Sequence, residues 1–166
     1  MQTSASGRQM KEFELTGVCQ QDIGELSRIH LISFAEGWSG GMIERILSTT
    51  DTYGLVARDR RTWCIAGFVL LRITVDECEI LSLAVAPKLR GEGVGGLTLD
   101  GAIRKAMELG SRSLFLEVAE DNHIAMGLYL SREFISVGRR PGYYSNKDGT
   151  RTAAVTMSRT LRNKTL

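Results

Sequence analysis

Apolar and polar positions alternate in "FELTGV" (13–18), the pattern of an edge strand with one covered face. From Asp22 the spacing changes. Ile23, Leu26, Ile29, His30 and Phe34 recur at helical intervals and predict a helix ending near Gly37. "SGGMIERILSTT" (39–50) predicts a second, short helix with Ser39 as its cap. Three strand-like runs follow: "YGLVAR" (53–58), "WCIAGFVLLRIT" (63–74) and "ECEILSLAV" (77–85). The links "DRR" and "VD" are short, so the three are expected as antiparallel neighbours.

Beyond Arg90, the positions of Leu97, Ile103, Ala106, Met107 and Leu109 predict a helix over 94–109, stopped by Gly110. "SLFLEV" (113–118) reads as a strand. Asn122 is placed to cap the helix "HIAMGLYLSRE", whose Ile124, Ala125, Leu128 and Tyr129 are expected to share a face. "FISVGRR" and "TRTAAVTMSRTL" are two last strands, joined by a loop containing the turn "NKDG". The sum is an α/β chain: a mixed, mostly antiparallel sheet flanked by about four helices, with one central strand–helix–strand crossover.

Composition narrows the class. The 166 residues suffice for one domain with a real core, and the apolar and charged fractions of 43% and 24% are those of an ordinary globule. A formal charge of +2 with no basic run argues against a nucleic-acid surface. The longest apolar stretch, "CIAGFVLL" (64–71), falls well short of the roughly 20 residues of a membrane helix. Residues 1–11, "MQTSASGRQMK", lack the apolar centre of a secretory signal and read as a polar, flexible tail ahead of a domain over 12–162. Cys19, Cys64 and Cys78 are odd in number and lack any C-x-x-C, so reduced thiols in a cytoplasmic protein are expected. His30 lies on a helical apolar face and His123 just past a cap. Neither has metal-ligand company, and no metal is expected.

The chemistry concentrates in "LAVAPKLRGEGVGGLTLD" (83–100). Read from Gly91 it is G-x-G-x-x-G, the dinucleotide fingerprint; read from Arg90 it is R-x-x-G-x-G, suited to a pyrophosphate. A strand before, a helix after and Glu117 downstream favour the first reading. Against it, Ala86 to Arg90 separate the strand from the glycines, and Pro87 cannot extend a central ladder. Too little chain also remains to build a doubly wound sheet. The second reading needs only local physics: Gly91, Gly93, Gly95 and Gly96 let backbone N–H groups approach phosphate oxygens. The helix start adds partial positive charge, and Arg90 adds more.

Together, "LSLAVAPKLRGEGVGG", "LFLEVAEDNHIAMGLYLSREF" and "GRRPGYYSNKDG" resemble the GNAT superfamily of acyl-CoA N-acetyltransferases and, within it, the ribosomal-protein-alanine N-acetyltransferases. The similarity runs from about Asp22 to Met157. The resemblance implies that acetyl-CoA lies between two splayed parallel strands, with the backbone of Leu83, Ala84 and Val85 holding its pantetheine and polarising the acetyl carbonyl. The loop Arg90, Gly91, Glu92, Gly93, Val94, Gly95 and Gly96 would hold the pyrophosphate, and Asn122 would contact the cofactor chain. Glu117 matches the family's general base and Tyr129 its general acid. Trp38, Tyr143 and Tyr144 would border the acceptor, the N-terminal peptide of a protein, ribosomal in the relatives.

Each residue also has a plainer reading. Glu117 interrupts an apolar strand, where an uncompensated carboxylate is costly, but a strand-end position reaching water or a structural Arg would also satisfy it. Tyr129 fits a packed tyrosine with a satisfied hydroxyl, Tyr143 and Tyr144 fit edge-strand packing after a Pro-Gly turn, and Trp38 fits a core aromatic. Departures from the family pattern are Gly91 for Arg or Gln, Gly37 for Pro before the tryptophan, and Arg132-Glu133-Phe134 for Leu-Gly-Phe. An acidic pair near the last strand is replaced around "TRTAA". Two other functions therefore stay open at this level: acetylation of a small-molecule amine, or acyl-CoA binding without catalysis.

Overall fold

The chain enters its sheet at an edge. In the structure, a computed structural model that describes residues 12–161, β1 (Phe13–Gly17) pairs only with β2 (Thr52–Asp59). The polar tail expected over 1–11 and residue 162 of the expected domain lie outside the described residues. The chain continues through α1 (Ile23–Ser33), α2 (Gly40–Leu47), β2, β3 (Ile65–Thr74), β4 (Glu77–Val85), α3 (Val94–Glu108), β5 (Ser113–Ala119), α4 (His123–Leu130), β6 (Ile135–Ser145) and β7 (Arg151–Thr160). One sheet of seven strands results, in the order β1-β2-β3-β4-β5-β7-β6. Only β4 and β5, the ends of the α3 crossover, run parallel; this is the mixed architecture expected.

Local chemistry accounts for most boundaries. Ser39 caps α2, its hydroxyl accepting from the Met42 N–H at 3.3 Å. Asn122 caps α4, its Oδ1 accepting from the Ala125 N–H at 3.2 Å. Gly110, at φ +82°, lets the chain leave α3 through a left-handed residue. Three expectations need correction. α1 ends at Ser33, not near Gly37, because Phe34 turns extended and sets its ring against His30 at 4.4 Å. Ile124 is 90% exposed, since the covered arc of α4 is centred on Tyr129 with Ala125, Met126 and Leu128 beside it. β6 continues through Pro141-Gly142, where a turn was expected. Those residues form a bulge between the pairs Arg140↔Ala154 and Tyr144↔Thr152, tolerated because β6 is an edge with a free side.

Two apolar layers flank the sheet. On one face α3 and α4 cover Val69, Leu71, Ile80, Leu114, Leu116, Val118, Val155 and Met157. On the other, α1 and α2 cover Val56, Phe68, Leu70 and Ala84. Cys78 is the one cysteine in this core; Cys19 and Cys64 are exposed. A buried ion pair joins the second layer to the sheet: Arg58 of β2 donates to Asp22 Oδ2 at 2.7 Å and to Thr16 Oγ1 at 2.9 Å. Burial pushes the Asp22 carboxyl up, but the Cys19 N–H and Arg58 outweigh it and hold the group below its ordinary range. Among the described residues no helix is long and apolar enough to cross a membrane.

Among the described residues Trp63, Val75 and Glu133 are the non-glycine residues with positive φ, and Val75 alone of them is β-branched. Val75, between β3 and β4, sits at φ +57° with 93% of its surface exposed, a backbone state that β-branched residues rarely adopt. Val75→Asn is expected to stabilise the fold by about 1 kcal/mol, because Asn tolerates the left-handed region and no packing is lost. A raised midpoint in thermal or urea denaturation is the result to look for.

Candidate active site

The site begins where two strands stop bonding. β4 and β5 pair only through Glu77↔Ser113, Cys78↔Leu114 and Glu79↔Phe115. Beyond that, β4 stays with β3 as far as Gly67↔Val85 and β5 stays with β7 as far as Ala119↔Ala154, so a wedge opens between them. An extra residue in β4 lies at its apex: Leu70 faces Ser82 and Leu71 faces Ile80, leaving Leu81 unopposed. Such a bulge bends its strand and strengthens its twist. It also leaves the Ser82 hydroxyl buried without a hydrogen-bond partner among the described residues.

At the open end of β4 the glycine loop leads into α3. Gly91 and Gly93 adopt φ of +77° and +85°, and Gly93 is the N-cap of the helix. No side chain caps α3, whose first internal bond is Leu97 N–H to the Gly93 carbonyl at 3.1 Å. The amides of Val94, Gly95 and Gly96 therefore keep their N–H groups free of the helix ladder, at its positive end. Gly95 and Gly96 face α4: a Cβ on Gly96 would stand 2.7 Å from Arg132 Nη2, and one on Gly95 3.3 Å from Leu128. Arg132 is held there by both oxygens of Asp100, at 3.1 and 3.3 Å. Arg90 points elsewhere, donating to the Val85 carbonyl at 3.3 Å and to Ser33 Oγ at the end of α1 at 3.2 Å. Glu92 is partly buried. Asn122 spends its side-chain oxygen on the α4 cap.

Glu117 stands on the opposite lip. Its neighbours Leu116 and Val118 are buried beneath α3 and α4, so strand alternation turns Glu117 to the other face, level with Thr156 of β7. Its carboxylate, 21% exposed, pairs with Arg140 at Nη2–Oε1 2.5 Å, so the plainer reading of a structural arginine describes the ground state. Arg140 also lies over the Tyr143 ring, 5.0 Å from its centroid, and Tyr143 meets Tyr144 edge-on at 5.1 Å. Burial, reinforced by Glu117 and Tyr143, pushes the Tyr144 phenol up, and Arg140 opposes the shift. Tyr129 is 7% exposed and packed against Phe134; burial and then nearby Tyr144 push its phenol up to about 12. Glu117, Arg140, Tyr144 and Tyr129 thus form one electrostatic cluster.

Trp38 belongs to a separate unit. It is partly buried, its ring stacks on His30 at 4.5 Å, its backbone N–H donates to His30 Nδ1 at 2.9 Å, and its carbonyl accepts from the Ser27 hydroxyl at 2.9 Å. Burial of His30 pushes its pKa down to about 4, so it works as a neutral acceptor that fixes the loop between α1 and α2. Arg140, Ser82 and the Arg132–Asp100 pair are what the sequence reading missed. One signal was available: consecutive strand residues face opposite ways, so one of Arg139 and Arg140 had to share a face with Glu117. Among the described residues no group of His, Cys, Asp and Glu is placed to hold a metal.

Similarity to known proteins gives the family and agrees with the fold. Residues 23–134 match the acetyltransferase (GNAT) family. A ribosomal protein bS18-alanine N-acetyltransferase of Haemophilus ducreyi is 29% identical over 141 residues, 85% of this chain and 95% of that protein. Among solved structures, the ribosomal-protein-S18-alanine N-acetyltransferase of Escherichia coli superposes with a TM-score of 0.83 at 23% identity, over 93% of this chain and 99% of that one. Arabidopsis thaliana NAA60 in complex with acetyl-CoA gives 0.80 at 19% identity, over 92% and 100%.

Two outcomes test how the site is supported. Gly67 of β3 lies beneath it, where an added Cβ would stand 2.8 Å from the Ala84 carbonyl and 2.9 Å from Val94. Gly67→Ala is expected to cost about 1–3 kcal/mol, since backbone on one side must yield, and a lowered unfolding midpoint measures it. His30 supplies a pH test. Between pH 6.5 and about 4 the unfolded chain binds a proton that the folded one refuses. Stability is complete above pH 6.5 and falls by an amount on the order of 3 kcal/mol as pH drops to about 4. Urea titrations across that window should lose this slope in His30→Leu.

Proposed function

The chain belongs to the GNAT family of acetyltransferases, and from that premise we propose that it acetylates the N-terminal α-amine of a protein, using acetyl-CoA in a ternary complex without an acyl-enzyme. The observation that carries this is the wedge itself: an unbonded strand edge and an uncapped glycine-rich helix start on one lip, a carboxylate on the other. These residues fit acetyl-CoA. Left-handed Gly91 and Gly93 and the open amides of α3 suit a pyrophosphate, and the edge of β4 at Leu83–Val85 suits an amide-bearing pantetheine. Asn122, through its unbonded amide nitrogen, adds a donor beside the wedge. The names of the relatives suggest a ribosomal protein as one acceptor.

An α-amine suits a single carboxylate. With a reference pKa of about 8, on the order of a tenth of it is neutral at pH 7, whereas a lysine at about 10.4 adds roughly 3 kcal/mol of deprotonation cost. Glu117, directly or through water, takes that proton as nitrogen attacks the acetyl carbonyl, and the β4 backbone polarises the carbonyl. The coenzyme A sulfur, like a cysteine thiol of pKa about 8.5, leaves readily. Tyr129, whose phenol burial pushes up to about 12, is protonated in the resting site. Full transfer to the sulfur is uphill by roughly 5 kcal/mol. Its hydroxyl therefore acts by donating a hydrogen bond as charge grows on sulfur, which departs as a thiolate and takes a proton from water, while the proton on Glu117 returns to solvent. Tyr143, Tyr144 and Trp38 border the acceptor in this reading.

Thiol release from acetyl-CoA, with peptides beginning in Ala or Ser, tests this reading. Glu117→Gln should lower kcat about a hundredfold while the KM for acetyl-CoA stays within a few-fold, and Tyr129→Phe should lower kcat about tenfold. Equal turnover by Glu117→Gln removes it as the base. Undiminished release with N-terminally capped peptides, or release with small amines alone, overturns the α-amine reading.

A further inference from the structure

Two cations contend for Glu117. In the ligand-free protein its carboxylate already holds Arg140, at 2.5 Å, in the position an acceptor ammonium needs when Glu117 serves as base. The partners are unequal: Glu117 is 21% exposed and anchored in a strand bonded to β7, whereas Arg140 is 59% exposed on the edge strand β6. When an acceptor arrives, the arginine is the partner free to swing. Small residues lie beneath its path, Ala154 opposite Arg140 and Gly138 opposite Thr156. Its neighbour Arg139 faces the other way and is bound through two N–H groups to Glu120, at 2.7 and 2.9 Å. Away from Glu117, Arg140 would lose its counter-charge.

We propose that Arg140 is a specificity-determining residue that takes a carboxylate from the second residue of the acceptor, so that peptides beginning X-Asp or X-Glu are the favoured substrates. The proposal rests on the reading of Glu117 as the base for an α-amine. A guanidinium moved off Glu117 toward the edge strand travels about one strand spacing, near 5 Å. Chain steps of roughly 3.4 Å bring the side chain of the second residue to that distance from the amine. A carboxylate there meets the planar fork of the guanidinium and leaves Glu117 to the ammonium. A neutral second residue leaves Arg140 on Glu117, and a basic one adds a third cation to the contest. The exchange is one of ion pairs; no covalent bond of the protein changes.

The experiment compares kcat/KM for matched peptides that differ only at the second residue, Glu, Gln or Lys, with full-length wild type, Arg140→Gln and Arg140→Glu. Wild type is expected to favour Glu over Gln by about tenfold, with Lys poorest; Arg140→Gln should erase the preference and Arg140→Glu should invert it toward Lys. Inversion is a gain that a merely misfolded variant cannot produce. Turnover of all three peptides by wild type without an acid preference overturns this role for Arg140 and leaves α-amine transfer standing. A preference that persists in Arg140→Gln overturns it equally. Failure of every peptide, with turnover confined to free amino acids, overturns the α-amine reading and this proposal together.

Discussion

The pairing of β4 with β5 ends after Glu79 and Phe115, and the geometry of the candidate site follows from that early separation. A parallel pair that stayed bonded to its ends would close the sheet and leave no strand edge for a ligand. Here each strand keeps a different partner, β3 on one side and β7 on the other, so the sheet stays continuous below the wedge and open above it. The Leu81 bulge and the close approach permitted by Gly67 shape the same end of β4. The glycine-rich start of α3 then lies directly past the end of that strand, and no side chain caps it.

Charge is distributed around the wedge in two styles. Deep in the second layer, Arg58 and Asp22 are nearly inaccessible and mutually compensated, and Thr16 and the Cys19 N–H take up further bonding capacity. Removing either partner would strand a buried charge, so this pair works as structure. At the lip of the wedge Arg140 and Glu117 form an equally short pair, but the arginine is more than half exposed and has one carboxylate and one ring for company. Such a pair is worth little to stability and is open to exchange. The difference lies in the surroundings. One pair is enclosed by α1 and two strands, and the other sits on an edge strand beside a bulge.

His30 and Trp38 show how the loop between α1 and α2 is held. A neutral, buried imidazole accepts the Trp38 backbone N–H and stacks on its ring, and Ser27 of the same helix donates to the Trp38 carbonyl. The loop between α1 and α2 is thereby tied to α1. Arg90 makes a second tie, from the glycine loop to Ser33 at the end of α1. Arg90 thus ties the glycine loop both to the terminus of β4 and to the end of α1.

Much of this was legible in the chain. The period-2 and helical patterns, the caps Ser39 and Asn122, the stop at Gly110 and the glycines at 91–96 are short-range signals, because capping, left-handed turns and amphipathic faces depend on residues a few positions apart. They determined the order and type of the elements, the single crossover and the place of the glycine-rich turn that opens α3. Glu117 could be picked out because a carboxylate amid Leu116 and Val118 needs a reason. What the sequence left open was settled by partners remote along the chain: β7 inserting between β5 and β6, β6 running on through Pro141 because its outer side is free, Ile124 turned to solvent, and Arg140 closing on Glu117. Those outcomes depend on which strand lies beside which and on how far two neighbours stay bonded. Periodicity assigns a side chain to a face, but only the packed sheet decides what stands opposite it.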